Sequence, residues 1–208
     1  MYDLGYRQTE FFVVKYLSVI QKGWFFMENK FYDLDIKGFK WKLPILPIND
    51  KLGICFFNLH GAPALTEHCG KELAKHLSDC EVLVTAESKG LQLCHVVARE
   101  LNMPFYAVAR KSKKIYMQDG IKVDYGASIT TGKEQSFYLS AHDVSILKGK
   151  KVGIVDDVVS TGESLAGLEK LVEAAGGIVY KKAFVLAEDV AKDRKDVIYL
   201  ADIPLINL

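Results

Sequence analysis

The chain has 208 residues, half of them apolar and a quarter charged, which is enough for a globular domain with a sizeable core. The formal net charge of +1 excludes a general attraction to nucleic acid or to a membrane surface, so any anion binding must come from local charge placement. The four cysteines, Cys55, Cys69, Cys80 and Cys94, have no Cys-x-x-Cys spacing. They predict reduced, mostly buried thiols, no protein metal site and a cytoplasmic location.

In chain order, EFFVVKYLSVI (10–20) is apolar but too short and too interrupted by charge to span a bilayer. Met27 opens MENKFYDLDIKGF, which reads as a natural start, so 1–26 is expected to be an N-terminal extension. Residues 39–64 are rich in aromatics and prolines and fit no helix–strand alternation. They predict a small cap, with 27–64 as a hood and 65–208 as the core.

From 65 onward helix and strand alternate. Apolar spacing predicts a helix over 65–77, and EVLVTA (81–86) predicts a buried strand. A turn, ESKG (87–90), leads to a second helix over 91–101. FYAVA (105–109) predicts the next strand, and 110–120 a basic loop. KVDYGASI and QSFYLS alternate like paired strands around TTGKE. KKVGIV (150–155) predicts a third buried strand, and 163–175 a helix ended by Gly176 and Gly177. IVYKKAFVLA and VIYLADI predict further strands. Buried strands separated by helices imply an α/β fold with a mostly parallel sheet covered on both faces. Ligands in such sheets bind beyond the carboxyl ends of the strands, which selects the turns after Ala86, Ala109 and Val155.

The third of these turns carries the chemistry. In VGIVDDVVSTGES (152–164) a buried strand runs into Asp156 and Asp157, then into a hydroxyl-rich turn that opens a helix. Ser160, Thr161, Gly162, Glu163 and Ser164 offer backbone N–H groups, hydroxyls and a positive helix end, which together suit a phosphate. Two carboxylates beside a phosphate would repel it, but they accept hydrogen bonds from two vicinal hydroxyls. A phosphate with a diol nearby describes a ribose 5-phosphate.

VGIVDDVVSTGES resembles the signature for 5-phosphoribosyl 1-diphosphate (PRPP) of the type I phosphoribosyltransferases. Over roughly 50–190 the order of elements resembles the purine branch, the adenine and xanthine enzymes. The resemblance implies that Asp156 and Asp157 contact the ribose hydroxyls and that 160–164 wraps the 5′-phosphate. It implies that the ESKG turn, through Ser88 and Lys89, holds pyrophosphate, with Arg110, Lys111 and Lys114 adding positive charge. It implies that a hairpin around 128–138 closes over the substrates and carries a basic residue, Lys133. GICFFN (53–58) resembles the hood segment that faces the purine, so Ile54, Cys55 and Phe56 are its base-binding candidates. Departures are Glu163 where adenine enzymes often have Gly, Lys89 and Phe57 where they often have Arg, and Thr130 in place of a loop glutamate.

The implied reaction displaces pyrophosphate from PRPP by a purine nitrogen, in purine salvage. Mg²⁺ would be bound through PRPP and pyrophosphate oxygens, and Asp156, Asp157 and Lys133 are the candidate catalytic groups. Adenine is the first candidate base. The alternatives are a xanthine-preferring enzyme and a non-catalytic PRPP-binding regulator. Regulators of that kind carry an added DNA-binding domain, for which residues 1–40 are too short and too weakly basic. The expected partners are PRPP, a purine base and a second copy of the chain, with no nucleic acid and no membrane.

Overall fold

The computed structural model describes residues 30–127 and 134–208. The expected extension, 1–26, and the tip of the expected hairpin, 128–133 with Lys133 and Thr130, lie outside the described residues.

Two antiparallel strands come first, β1 (Phe31–Ile36) and β2 (Phe39–Pro47), followed by β3 (Leu52–Cys55). Half of the aromatic- and proline-rich segment that broke the alternation is therefore strand. Helix α1 (Pro63–Ala74) begins with proline in its first turn, where the missing N–H costs nothing. The chain continues through β4 (Val82–Ala86), α2 (Leu91–Glu100) and β5 (Ala107–Ala109). β5 keeps only the last three residues of the strand expected over 105–109. β6 (Ile121–Ala127) and β7 (Glu134–Leu139) form the expected hairpin. After α3 (Ala141–Leu147), opened by a Ser140–Asp143 capping box, come β8 (Lys151–Val159), α4 (Glu163–Ala174) and β9 (Ile178–Glu188). A 3₁₀ turn (Asp189–Asp193) leads to β10 (Ile198–Ile203) and β11 (Leu205–Asn207).

β10, β9, β8, β4 and β5 form one sheet in that order, every pair parallel. Side chains alternate between its faces. Leu83, Val155 and Val185 join the core under α1 and α2, while Val84, Ile154 and Phe184 join the core under α3, α4 and the hairpin. The α/β architecture with helices on both faces is as the alternation predicted. The hood is a four-stranded sheet, β1-β2-β3-β11, closed by the last strand of the chain. Its Leu34, Ile36 and Leu43 pack into the same core as α1 and α2, and Phe31–Leu208 form one unit. All four cysteines are free and buried. Among the described residues no helix is long and apolar enough to cross a membrane.

Candidate active site

β4 and β8 are neighbours in the sheet, and the chain leaves them in opposite directions. From β4 it runs through α2 to β5 at one edge, and from β8 through α4 to β9 on the other side. A crevice opens beyond the carboxyl ends at such a reversal. The turns after β4 and β8 both lie there.

The sequence suggested that the third strand stops at Val155. β8 instead continues through both acids to Val159, paired with β9 as far as Ala187. β-pairing therefore holds the acid pair, and the two side chains leave opposite faces of the strand. Asp157 is buried, with 7% of its surface exposed. Its N–H donates to Asp156 Oδ1 at 2.9 Å. Burial raises the pKa of both carboxyls. The neighbouring charge of Asp157 adds to the rise at Asp156, and the Lys89 ammonium opposes it at Asp157. Asp157 Oδ2 is buried without a hydrogen-bond partner, 3.8 Å from Lys89 Nζ.

Lys89 belongs to the 87–90 turn and also lies over the Phe56 ring, 5.6 Å from its centroid. It thus connects the acid pair to the hood. Gly90 ends the turn against β4 and β8. A Cβ there would stand 2.2 Å from Thr85 Oγ1 and 2.6 Å from Asp156 Oδ1, so any side chain would drive the turn away from the acids. The Glu87–Ser88 peptide is cis. Glu87 Oε2 accepts from Arg110 Nη1 at 3.0 Å, and Oε1 accepts from the Lys111 N–H at 2.7 Å. One carboxylate therefore anchors the start of the basic loop to this turn. His60 approaches from the hood, with Nε2 3.5 Å from Ser88 Oγ and Nδ1 3.2 Å from Gln92 Oε1.

The turn after β8 is built locally. Gly162 has φ +85°, a left-handed conformation in which a side chain would be strained, and it caps α4. The first N–H groups of α4 then point out of the helix end. Thr161 Oγ1 accepts from the Glu163 N–H at 3.4 Å. The Glu163 carboxylate leans toward Gly126 of the hairpin, and burial raises the pKa of the Tyr125 phenol, a rise that the nearby Ser164 opposes.

The structure brings Ser88, Lys89, Asp156, Asp157 and Phe56 together. Lys111 is close enough to the acids to lower the pKa of Asp156. The Arg110 guanidinium is occupied by Glu87 and by the Tyr116 hydroxyl, and Lys114 Nζ donates to Ser112 Oγ. In the hood, burial alternates from 54 to 59. Cys55, expected beside the base, lies in the core with Phe57 and Leu59, while Ile54, Phe56 and Asn58 take the other face. Thr85, Glu87, Gly90, His60 and Arg194 were not singled out by the sequence. Glu87 and Gly90 flank Ser88 and Lys89, so a turn that must close on a strand was their only local signal. The other three are revealed by long-range contacts alone.

Residues 58–201 match the phosphoribosyl transferase domain family. The chain belongs to this family. It is similar to the xanthine phosphoribosyltransferase of an Exiguobacterium species, at 35% identity over 67% of this chain and 75% of that protein. It is also similar to an adenine phosphoribosyltransferase of Methanococcus maripaludis, at 34% identity over 64% of this chain and 74% of that protein. The crystal structure of adenine phosphoribosyltransferase from Thermoanaerobacter pseudethanolicus shares the fold. Its TM-score is 0.59 at 24% identity, covering 83% of this chain and 95% of that one. As a phosphoribosyltransferase the protein is an enzyme, and the matched segment contains both crevice turns and the acid pair.

Proposed function

We propose that this phosphoribosyltransferase transfers ribose 5-phosphate from PRPP to a purine base and releases pyrophosphate, with adenine as the first candidate base and purine salvage as its setting. The observation that carries the reading is Asp157 Oδ2, buried at the crevice without a donor. A buried carboxylate oxygen left unpaired costs free energy, and a ribose hydroxyl supplies the missing hydrogen bond. Asp156 and Asp157 would hold the diol, and the turn at 160–164 would hold the 5′-phosphate with its N–H groups and the dipole of α4.

In this reading the transition state resembles an oxocarbenium ion, with negative charge growing on the departing pyrophosphate. The protein's task is orientation and charge stabilisation. Ser88 and Lys89 would meet the leaving group, with Lys111 and Lys114 beside them and Lys133 on the hairpin. Arg110 would act mainly by holding the basic loop against Glu87. The raised proton affinity of Asp156 suits it to receive the proton given up by the purine nitrogen.

Among the described residues no three His, Cys, Asp or Glu side chains gather to hold a metal by themselves. The donor set fits Mg²⁺ carried by the diphosphate oxygens, with Asp156 and Asp157 close to it through the ribose hydroxyls. When bound, the ion would neutralise charge on the leaving group. Ile115 and Tyr116 project from the basic loop at 91% and 67% exposure, apolar surface that a second copy would cover in a homodimer. Four free thiols suit a reducing, cytoplasmic setting.

Xanthine is the second reading, and Asn58 favours it. Its Oδ1 accepts from the His60 N–H at 3.1 Å, so the side-chain NH₂ is left as a donor on the face of Phe56. A donor there suits an oxo-purine better than the exocyclic amine of adenine. The test is pyrophosphate release from PRPP and magnesium with a panel of adenine, xanthine, hypoxanthine and guanine. Turnover with one base supports transfer and names the substrate. PRPP binding without turnover of any base overturns it in favour of a sensor.

A further inference from the structure

The 160–164 turn contains no cationic side chain, and its one charged residue is Glu163. A cation nevertheless stands against it from elsewhere in the chain. A Cβ on Gly162 would lie 2.5 Å from Arg194 Nη1 and 3.8 Å from Cζ, so the guanidinium fills the space that a side chain at 162 would take. Arg194 follows the 3₁₀ turn that connects β9 to β10.

Its other nitrogens are committed. Arg194 Nε donates to Asp196 Oδ1 at 3.0 Å and Nη2 to Asp196 Oδ2 at 2.7 Å, a two-pronged pair that fixes the plane of the guanidinium. Asp196 Oδ2 also accepts from Lys182 Nζ at 2.6 Å, and Lys182 Nζ donates to Glu169 Oε1 at 2.8 Å. Glu169 is on α4, the helix that the turn opens. The chain of contacts therefore starts at the turn and returns to its helix. Two acids balance two bases within it, and Nη1 is the edge directed at Gly162. A ligand site at this end of β8 is independently indicated by the buried, unpartnered Asp157 Oδ2 just upstream.

We propose that Arg194 is the positioning residue of the 5′-phosphate turn: fixed by Asp196, its guanidinium braces Gly162 in its left-handed conformation and so holds the turn in shape for the phosphate. The proposal rests on the reading of 160–164 as the 5′-phosphate site. The N–H groups of α4 and its dipole attract the phosphate, and the guanidinium fixed behind the glycine keeps those N–H groups aimed at it. Only arginine can grip Asp196 through two nitrogens and keep a third against the turn.

Calorimetry with two probes tests this. Arg194→Gln should weaken ribose 5-phosphate ~tenfold, about 1.4 kcal/mol. Magnesium pyrophosphate, bound across the crevice, should change less than ~twofold, and the KM for PRPP should rise with little change in kcat. Arg194→Lys should recover part of the loss, and Asp196→Asn, which frees the guanidinium, should give a smaller loss in the same direction. If Arg194→Gln does not fold, these two variants carry the test. A folded Arg194→Gln with unchanged affinity for ribose 5-phosphate, or with both probes weakened equally, overturns the role of Arg194. Wild-type protein that binds magnesium pyrophosphate but not ribose 5-phosphate overturns the phosphate reading of the turn itself, and the proposal with it.

Discussion

The turns after β8 and β4 open onto one crevice, yet they are held by different means. The turn after β8 has a frame written within a dozen residues, the end of a strand, a left-handed glycine and the first turn of α4, to which pairing with β9 and Arg194 add support from a distance. The turn after β4 depends on distant residues. Glu87 holds Arg110 and Lys111, Gly90 fits against Thr85 and Asp156, Ser88 meets His60, and Lys89 reaches both Asp157 and Phe56. A locally built loop can be recognised as a motif. A loop held by remote contacts looks, in sequence, like surface. The second kind should also be the more easily disturbed by substitutions far from it.

The largest effect is expected where the two turns meet. Asp156→Asn combined with Asp157→Asn should weaken PRPP ~100-fold or more, since two charge-assisted hydrogen bonds are each worth ~1.5–3 kcal/mol. The melting temperature should hold or rise, because two buried like charges are removed. Calorimetry and a thermal melt measure both, and unchanged PRPP affinity would remove the diol assignment.

Gly90→Ala comes next. The added methyl has no room between Thr85 and Asp156, and overpacking of this kind costs ~1–3 kcal/mol. Turnover should fall together with stability, and a melt that matches wild type would show that the turn can shift without cost. Glu87→Gln breaks the partly buried pair with Arg110 and should cost ~1–2 kcal/mol. The kcat/KM for PRPP should drop ~tenfold as the basic loop loses its anchor. If kinetics stay at wild-type levels, the remote anchoring of this turn does not matter to catalysis. Phe56→Leu is the mildest of the substitutions. It should raise the KM of the base by a few-fold, consistent with an aromatic contact of ~0.5–1.5 kcal/mol, and leave PRPP affinity alone. Equal effects on base and PRPP would move Phe56 away from the base.

The smallest effect is the pH dependence of the ligand-free protein. Burial raises the proton affinity of both acids in the folded state, that of Asp156 to about 7. As pH rises past the ordinary carboxylate range the unfolded chain ionises first, so the folded state holds more protons. Stability from this pair is complete below the unfolded carboxylate pKa and is lost as pH climbs through the raised folded value toward neutrality. Denaturant melts across that window should show a declining stability that flattens in the doubly substituted Asn protein. An equal slope in both would mean that the pair is not buried in solution.

Much of the fold was legible because it depends on local pattern. The runs 82–86 and 151–155 and the alternation around TTGKE became the expected elements, and the helical spacing of Leu65 and Leu73 became α1, which stops at Ala74 and leaves the buried Leu77 beyond its end. Errors arose where pairing extends an element beyond its pattern. Asp156 and Asp157 interrupt an apolar run, so the strand was expected to stop, but pairing with β9 continues through them. β11 is a three-residue strand that pairs with β3, about 150 residues earlier by chain number, and nothing near 205 announces it. Cys55 and Phe56 are adjacent and both apolar, and only the register of β3 sends one to the core and the other toward Lys89.

The sequence by itself determined the alternating α/β order, the acid pair and the hydroxyl-rich turn that opens α4, because a strand, a left-handed glycine and a helix start are specified within a dozen consecutive residues. Tertiary structure alone decided which distant groups complete the crevice: Glu87 under the basic loop, His60 beside Ser88, Lys89 between the hood and Asp157, and Arg194 behind Gly162. Those contacts depend on strand order, on register and on the absence of a Cβ at two glycines, and packing settles them between residues that sequence spacing cannot relate.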